Sequence, residues 1–275
     1  MESYRIEQLA RRLRIARKSV VQRLHARSNR AHQRVAFVAG VQRSGTNMMM
    51  DVLERSDETD VYHEHDPRAF DNYQMRDLTV IRRLLQRSVA PCFVIKSLCE
   101  LPELGSLMEE FRPAKTVWLT RHYDDVVNSM LVSFRNQANQ VKRIARNRTS
   151  DGWLSRGLSD DTYAHLQDLV HPDISDASAA ALIWYFRSVL YFEQGFDQDP
   201  RVTLVRYESL VAEPQREFAR VFAFLGLNYS AYVSRKVFGN SVNRRLPLDI
   251  EAPIRELCDG LMLRFEAVAR EQHNA

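Results

Sequence analysis

A chain of 275 residues that is 45% hydrophobic, with only nine Gly and nine Pro, can bury a large core and reads as one globular domain with appendages, which excludes whole-chain disorder. Its 39 Lys and Arg against 35 Asp and Glu leave a net charge of +4, too mild to mark a nucleic-acid binder, so no nucleic-acid partner is expected. Three cysteines, Cys92, Cys99 and Cys258, are an odd number without metal-ligand spacing and read as free thiols of a reducing compartment, buried as small hydrophobes.

Residues 1–32 come first. Leu9, Leu13, Ala16, Val20 and Leu24 recur there at three- and four-residue steps among Arg and Lys, which predicts a basic amphipathic helix. Its apolar stripe is expected to pack on the body or on a second subunit, with a peripheral membrane contact as the alternative. The stretch holds no long apolar run, so no signal peptide or membrane span of the usual kind is expected and the protein is placed in the cytoplasm. The triplets Asn147-Arg148-Thr149 and Asn228-Tyr229-Ser230 then count as chance glycosylation matches.

From residue 33 to 275 apolar runs alternate with helical patterns. The runs "RVAFVAG" (34–40), "PCFVIKSL" (91–98), "KTVWLTR" (115–121) and "RVTLVRY" (201–207) are predicted strands, and their alternation with helices predicts an α/β fold of three layers around a central parallel sheet. Such a sheet places ligands at the carboxyl ends of its strands. The polar, Arg-rich stretch 135–173 interrupts the alternation and is predicted to be an inserted lid or a substrate-facing region.

The stretch "VAFVAGVQRSGTNMMMDVL", residues 35–53, has the outline of a strand, a glycine-bounded turn and a helix. A Walker loop reads G-x-x-x-x-G-K-[ST]; here Gly40 and Gly45 are kept while Thr46 and Asn47 stand where the lysine and hydroxyl belong. The turn is therefore P-loop-like: its backbone can still present N–H donors to an anion at a helix N-terminus. The lysine that spans terminal phosphates and the hydroxyl that grips magnesium are gone, whereas Arg43 inside the loop supplies a guanidinium. Met48, Met49 and Met50 read as packing.

"QRSGTNMM" resembles the 5′-phosphosulfate loop of sulfotransferases that use 3′-phosphoadenosine 5′-phosphosulfate (PAPS), closer in its RSGT form to tyrosylprotein and carbohydrate enzymes than to the cytosolic phenol type. "KTVWLTRHYDDVVNSML" resembles the family's 3′-phosphate motif, with Arg121 at a strand end and Ser129 eight residues on. "LVRYESLVAEPQREFARVFAFLGL" resembles the family's Tyr-Glu-Asp-Leu strand end and the Pro-started helix after it, with Ser209 in place of the Asp. The three motifs fall in the family's order across residues 35–227.

The resemblance implies PAPS as co-substrate, no metal, and an acceptor bearing a hydroxyl or amine, with the RSGT form leaning towards carbohydrate, lipid-linked or peptide acceptors. It implies a cofactor loop of Gln42, Arg43, Ser44, Gly45, Thr46, Asn47 and Met48, in which Arg43 and the amides of Ser44, Gly45 and Thr46 face charge developing on the leaving phosphate. Arg121 and Ser129 are expected on the 3′-phosphate; Tyr207 either abuts the adenine or is a core tyrosine. Arg244 and Arg245, in "GNSVNRRLPL" (239–248), are candidates for the 3′-phosphate or a solvated pair. The family's strand-end histidine is missing, since "VIKSLCE" puts Leu98 at its place. "DVYHEHDPRAF" supplies the alternative: Glu64 is chosen as the base, with His63 and His65 as runners-up. Lys96 either faces the sulfuryl group or caps a carbonyl.

Two other functions compete. A P-loop kinase or nucleotide hydrolase requires a magnesium ligand and a substitute for the loop lysine, and the sequence has neither a Walker-B strand ending in Asp nor a compensating Lys nearby. A non-catalytic anion-binding protein of the same fold is opposed by the intact Arg43, Arg121 and Ser129.

Overall fold

The computed structural model describes residues 15–24, 26, 32–235, 237 and 248–274. The body opens with strand β1 (Arg34–Gly40), followed by α1 (Thr46–Glu54) and strand β2 (Thr59–Tyr62). A hairpin of β3 (Phe70–Asp71) and β4 (Gln74–Met75) precedes α2 (Leu78–Arg87). Then come β5 (Cys92–Ser97), α3 (Leu104–Glu110), β6 (Ala114–Thr120) and α4 (Tyr123–Ser133). The helices α5 (Gln137–Arg146), α6 (Asp160–Leu169) and α7 (Asp176–Ser188) lead to β7 (Val202–Arg206), α8 (Tyr207–Ala212), α9 (Pro214–Leu225) and the long α10 (Ala252–Asn274).

Five parallel strands pair in the order β2-β5-β1-β6-β7, with β1 central. Because side chains alternate along a strand, β1 feeds both faces of the sheet. Ala36 and Val38 join a cluster with Met49, Met50 and Leu53 of α1 and Phe218, Val221 and Phe222 of α9. Val35, Phe37 and Ala39 join the larger cluster with Trp118, Trp184 and Phe265. A strand buried on both faces must be apolar at every position, which is why "VAFVA" was readable as an inner strand.

The three-layer α/β architecture is the expected one, and the four predicted strands fall within one residue of their observed bounds. The sequence reading missed β2, only four residues long, and the β3–β4 hairpin. Within 135–173 lie α5 and α6, whose Val141, Ile144 and Leu166 are buried in the larger cluster. The three cysteines are free and buried.

Of the stretch 1–32 predicted to be helical, residues 15–24 are described and form a helix that docks by its polar side. Lys18 Nζ donates to the carbonyl of Glu54 at 3.0 Å and to Thr59 Oγ1 at 2.9 Å. Gln22 Nε2 donates to the carbonyls of Asp57 and Thr59, both at 2.8 Å. The end of α1 and the start of β2 present carbonyls that need donors, and two polar side chains one turn apart supply them. Val20 and Leu24, of the predicted apolar stripe, do not pack on the body and are 57% and 77% exposed. Among the described residues no helix is long and apolar enough to cross a membrane.

Candidate active site

A cavity of about 590 Å³ lies at the carboxyl ends of β1, β5, β6 and β7, lined from the loop after β1 by Gln42, Arg43, Gly45 and Thr46. Gly40 ends β1 at φ 139°, and a Cβ there would stand 2.4 Å from the carbonyl oxygen of Leu119 on the adjacent strand, so only glycine lets the chain turn off the sheet. Gly45, at φ 96°, starts α1; a Cβ on it would meet the Tyr207 ring at 2.4 Å. The second glycine thus allows an aromatic ring to lie directly on the loop. Of the three amides expected to face an anion, that of Ser44 turns back and donates to the Val41 carbonyl at 3.2 Å. The Ser44 hydroxyl is buried without a hydrogen-bond partner among the described residues.

Three strand ends converge through Arg43, itself in the left-handed region at φ 69°. Its Nε donates to Ser129 Oγ on α4 at 2.7 Å, and its carbonyl accepts from Arg121 Nη1 at 3.3 Å. Arg121 is only 7% exposed, lies over the Tyr207 ring with 4.4 Å from guanidinium to ring centre, and stands 3.8 Å from the Asp125 carboxylate. The backbone N–H of His122 donates to Glu208 Oε1 at 2.9 Å, tying the end of β6 to the end of β7. Arg43, Arg121, Ser129 and Tyr207 therefore form one wall of the cavity, and its charge is cationic.

A second part of the lining is an acid–base pair. Lys96, at the end of β5 and 1% exposed, donates to Asn47 Oδ1 at 2.6 Å and forms an ion pair with Glu64. Burial pushes its ammonium down to about 7; Asp51 draws it back up, and contact with the Glu64 carboxylate acts in the same direction as Asp51. Just beyond, the fully buried Arg187 of α7 donates to the carbonyls of Leu98 at 3.1 Å and of Trp153 and Arg156 at 3.3 Å. The end of β5 and the 135–173 stretch are thereby held to the same side chain.

The sulfotransferase domain family matches residues 33–244, most of the chain. The chain belongs to that family. Three solved structures share its fold at low identity. The sulfotransferase domain from the curacin biosynthetic pathway is 14% identical, covers 84% of this chain and 98% of its own, and superposes with a TM-score of 0.52. The domain from the Synechococcus PCC 7002 olefin synthase is 14% identical, with 84% and 96% covered and a TM-score of 0.52. A sulfotransferase from Alicyclobacillus acidocaldarius is 13% identical, with 87% and 95% covered and a TM-score of 0.50. No curated protein is significantly similar in sequence. The enzyme class expected from the motifs, a PAPS-dependent sulfotransferase, stands on the family match.

In this sulfotransferase the cavity gathers Gln42, Arg43, Gly45, Thr46, Asn47, Met48, Glu64, Lys96, Arg121, Ser129 and Tyr207. His63 and His65 do not line it. His63 is buried with Nε2 3.6 Å from Glu54 Oε1, and its ring faces that of the exposed His65 with centres 5.4 Å apart. Arg244 and Arg245 lie outside the described residues. Leu98, at the place of the family's histidine, lines the wall as an apolar side chain.

Sequence reasoning missed two cavity residues, Tyr73 and Phe134, both large and solvent-exposed. Tyr73 sits in the two-residue turn between β3 and β4, where Asn72 and Tyr73 both have positive φ, 47° and 65°. Hairpin turns of that kind favour Asn-Gly, so the signal was half present; tyrosine there carries strain of about 1–2 kcal/mol. Glu100 Oε1, accepting from the Met75 N–H at 2.7 Å, helps hold the hairpin against the end of β5.

Proposed function

We propose that this enzyme moves the sulfuryl group of PAPS to a hydroxyl of a carbohydrate, lipid-linked or peptide acceptor, or to an amine of similar setting. The carrying observation is that one cavity brings together a cationic set of Arg43 and Arg121 with Ser129 and the Glu64–Lys96 pair. The residues present suit a nucleotide with two anionic groups: Arg43, Arg121 and Lys96 line the space, beside the Tyr207 ring.

In this reading Arg121 and Ser129 hold the 3′-phosphate and Tyr207 lies against the adenine, with Arg43 and the loop on the 5′-phosphosulfate. Glu64 takes the acceptor's proton as the acceptor oxygen attacks sulfur. The bond from sulfur to the phosphate oxygen breaks, and the electron pair leaves with 3′-phosphoadenosine 5′-phosphate (PAP). Arg43, Thr46, Asn47 and Lys96 meet the charge that develops on that leaving oxygen, the kind of preorganised stabilisation that dominates group transfer. Arg43 acts electrostatically, since its guanidinium keeps its protons at ordinary pH. Glu64 is favoured over His63 and His65 because it alone of the three lines the cavity. The exposed rings of Tyr73 and Phe134 offer the apolar face of a sugar or a side chain a surface to stack on.

Calorimetric titration with PAP, ATP and GTP, with and without magnesium, tests the donor: PAP is expected to bind tightly without the metal and the two triphosphates weakly. PAPS turnover against a panel of a glycoside, a tyrosine peptide, a lipid-linked sugar and a simple phenol tests the acceptor. Tighter ATP binding that depends on magnesium would return the site to nucleotide phosphate chemistry.

A further inference from the structure

The helical stretch 15–24 takes no part in the cavity and turns its apolar side chains to water. At 3.6 residues per turn Ala16, Val20 and Leu24 share a face opposite Lys18 and Gln22. The polar pair makes the docking contacts already described, and Arg17 adds a bond to Asp57 at 2.7 Å. Ala16 is exposed, and Val20 and Leu24 are 57% and 77% exposed. In the sequence Leu9 and Leu13 continue the spacing. Charge is as unevenly spread as polarity. Residues 1–30 hold nine Lys and Arg and two Glu, a net +7, which leaves 30 basic against 33 acidic residues, a net −3, for the other 245.

We propose that this helix docks the enzyme on an anionic lipid surface, with Val20 and Leu24 entering the boundary between headgroups and acyl chains and Arg23 among the lipid phosphates. Charge complementarity selects this occupant. Residues 1–30 of a second copy would set +7 against +7, and a nucleic acid would meet the charge while leaving the apolar stripe in water. The helix is anchored at the amino end of β2, at the opposite end of the sheet from the cavity, so attachment and catalysis use separate residues.

Sedimentation of the full chain with vesicles tests this, using phosphatidylcholine alone and phosphatidylcholine mixed with phosphatidylglycerol. Wild type is expected to bind the mixed vesicles only, and less as salt rises. The double variant Val20→Ser/Leu24→Ser, which keeps the net charge, should bind about tenfold more weakly or worse, with an unchanged melting temperature because both positions are exposed. Three results would overturn the proposal: no binding of wild type to mixed vesicles at low salt, equal binding by the variant, or a lipid-free dimer that the variant abolishes.

Discussion

The two walls of the cavity are assembled differently. On the cationic wall Arg43, Arg121 and Tyr207 each stand at or just beyond the end of a strand, and Ser129 is two turns into the helix that follows Arg121. Their relative positions are fixed by the parallel register of β1, β6 and β7. On the other wall Glu64 sits on a loop after the edge strand β2 and is placed by pairing with a buried lysine from the neighbouring strand. One wall is preorganised by backbone geometry, the other by a single ion pair in a low-dielectric setting. Arg121, Ser129 and Tyr207 of the first are suited to holding a nucleotide, and Glu64 of the second to chemistry at the acceptor.

If that division holds, damage to the second wall should cost turnover and spare nucleotide binding. The largest effect is expected for Glu64→Gln, a fall in PAPS turnover by the general-base factor of about 10²–10⁴ with the best acceptor found. Loss of the same size in His63→Asn, with Glu64→Gln active, would move the base to the histidine. Next comes Arg43→Ala, expected to lower turnover on the order of 100-fold, with thermal unfolding unchanged since the side chain is exposed. An unaltered rate would remove Arg43 from the chemistry.

Arg121→Ala and Ser129→Ala should weaken PAP binding, the arginine by about 10- to 100-fold and the serine by less, as expected for a charge-assisted and a neutral hydrogen bond. Affinity for adenosine 5′-phosphosulfate, which lacks the 3′-phosphate, should hardly change. Equal losses for both ligands would assign these residues to the scaffold instead.

The smallest effect concerns stability and pH. Glu64→Gln leaves Lys96 buried without the carboxylate it touches, so the folded state binds its proton less readily than the unfolded chain does. Between the lowered folded value and the ordinary lysine value the unfolded state carries more protons, and stability must therefore rise with pH. Urea unfolding of Glu64→Gln should show a gain on the order of 1–2 kcal/mol from pH 7 to pH 9, absent in Glu64→Gln/Lys96→Met. The same gain in the double variant would place its origin elsewhere.

This contrast also explains what the sequence disclosed. The inner strands were legible because burial on two faces demands unbroken apolar runs, and the loop because Gly40 and Gly45 satisfy local backbone needs that few residues can. Arg121 and Ser129 were found by spacing along one strand–helix unit. The short edge strand β2 and the Asn72–Tyr73 turn left no comparable trace, so Tyr73 and Phe134 went unseen at the cavity. Residues 15–24 are helical, but the polar contacts of that helix left no trace in the periodicity: the carbonyls at the start of β2 select Lys18 and Gln22, a demand visible only in three dimensions. Glu64 was chosen over its histidine neighbours in the sequence, and of the three it alone lines the cavity.

The division of labour between the walls is tested most directly by titrating PAP calorimetrically into Glu64→Gln and Arg121→Ala side by side. The account predicts near wild-type affinity in the first and a loss of about tenfold or more in the second. A loss in Glu64→Gln as large as that in Arg121→Ala would contradict it, for both walls would then hold the nucleotide.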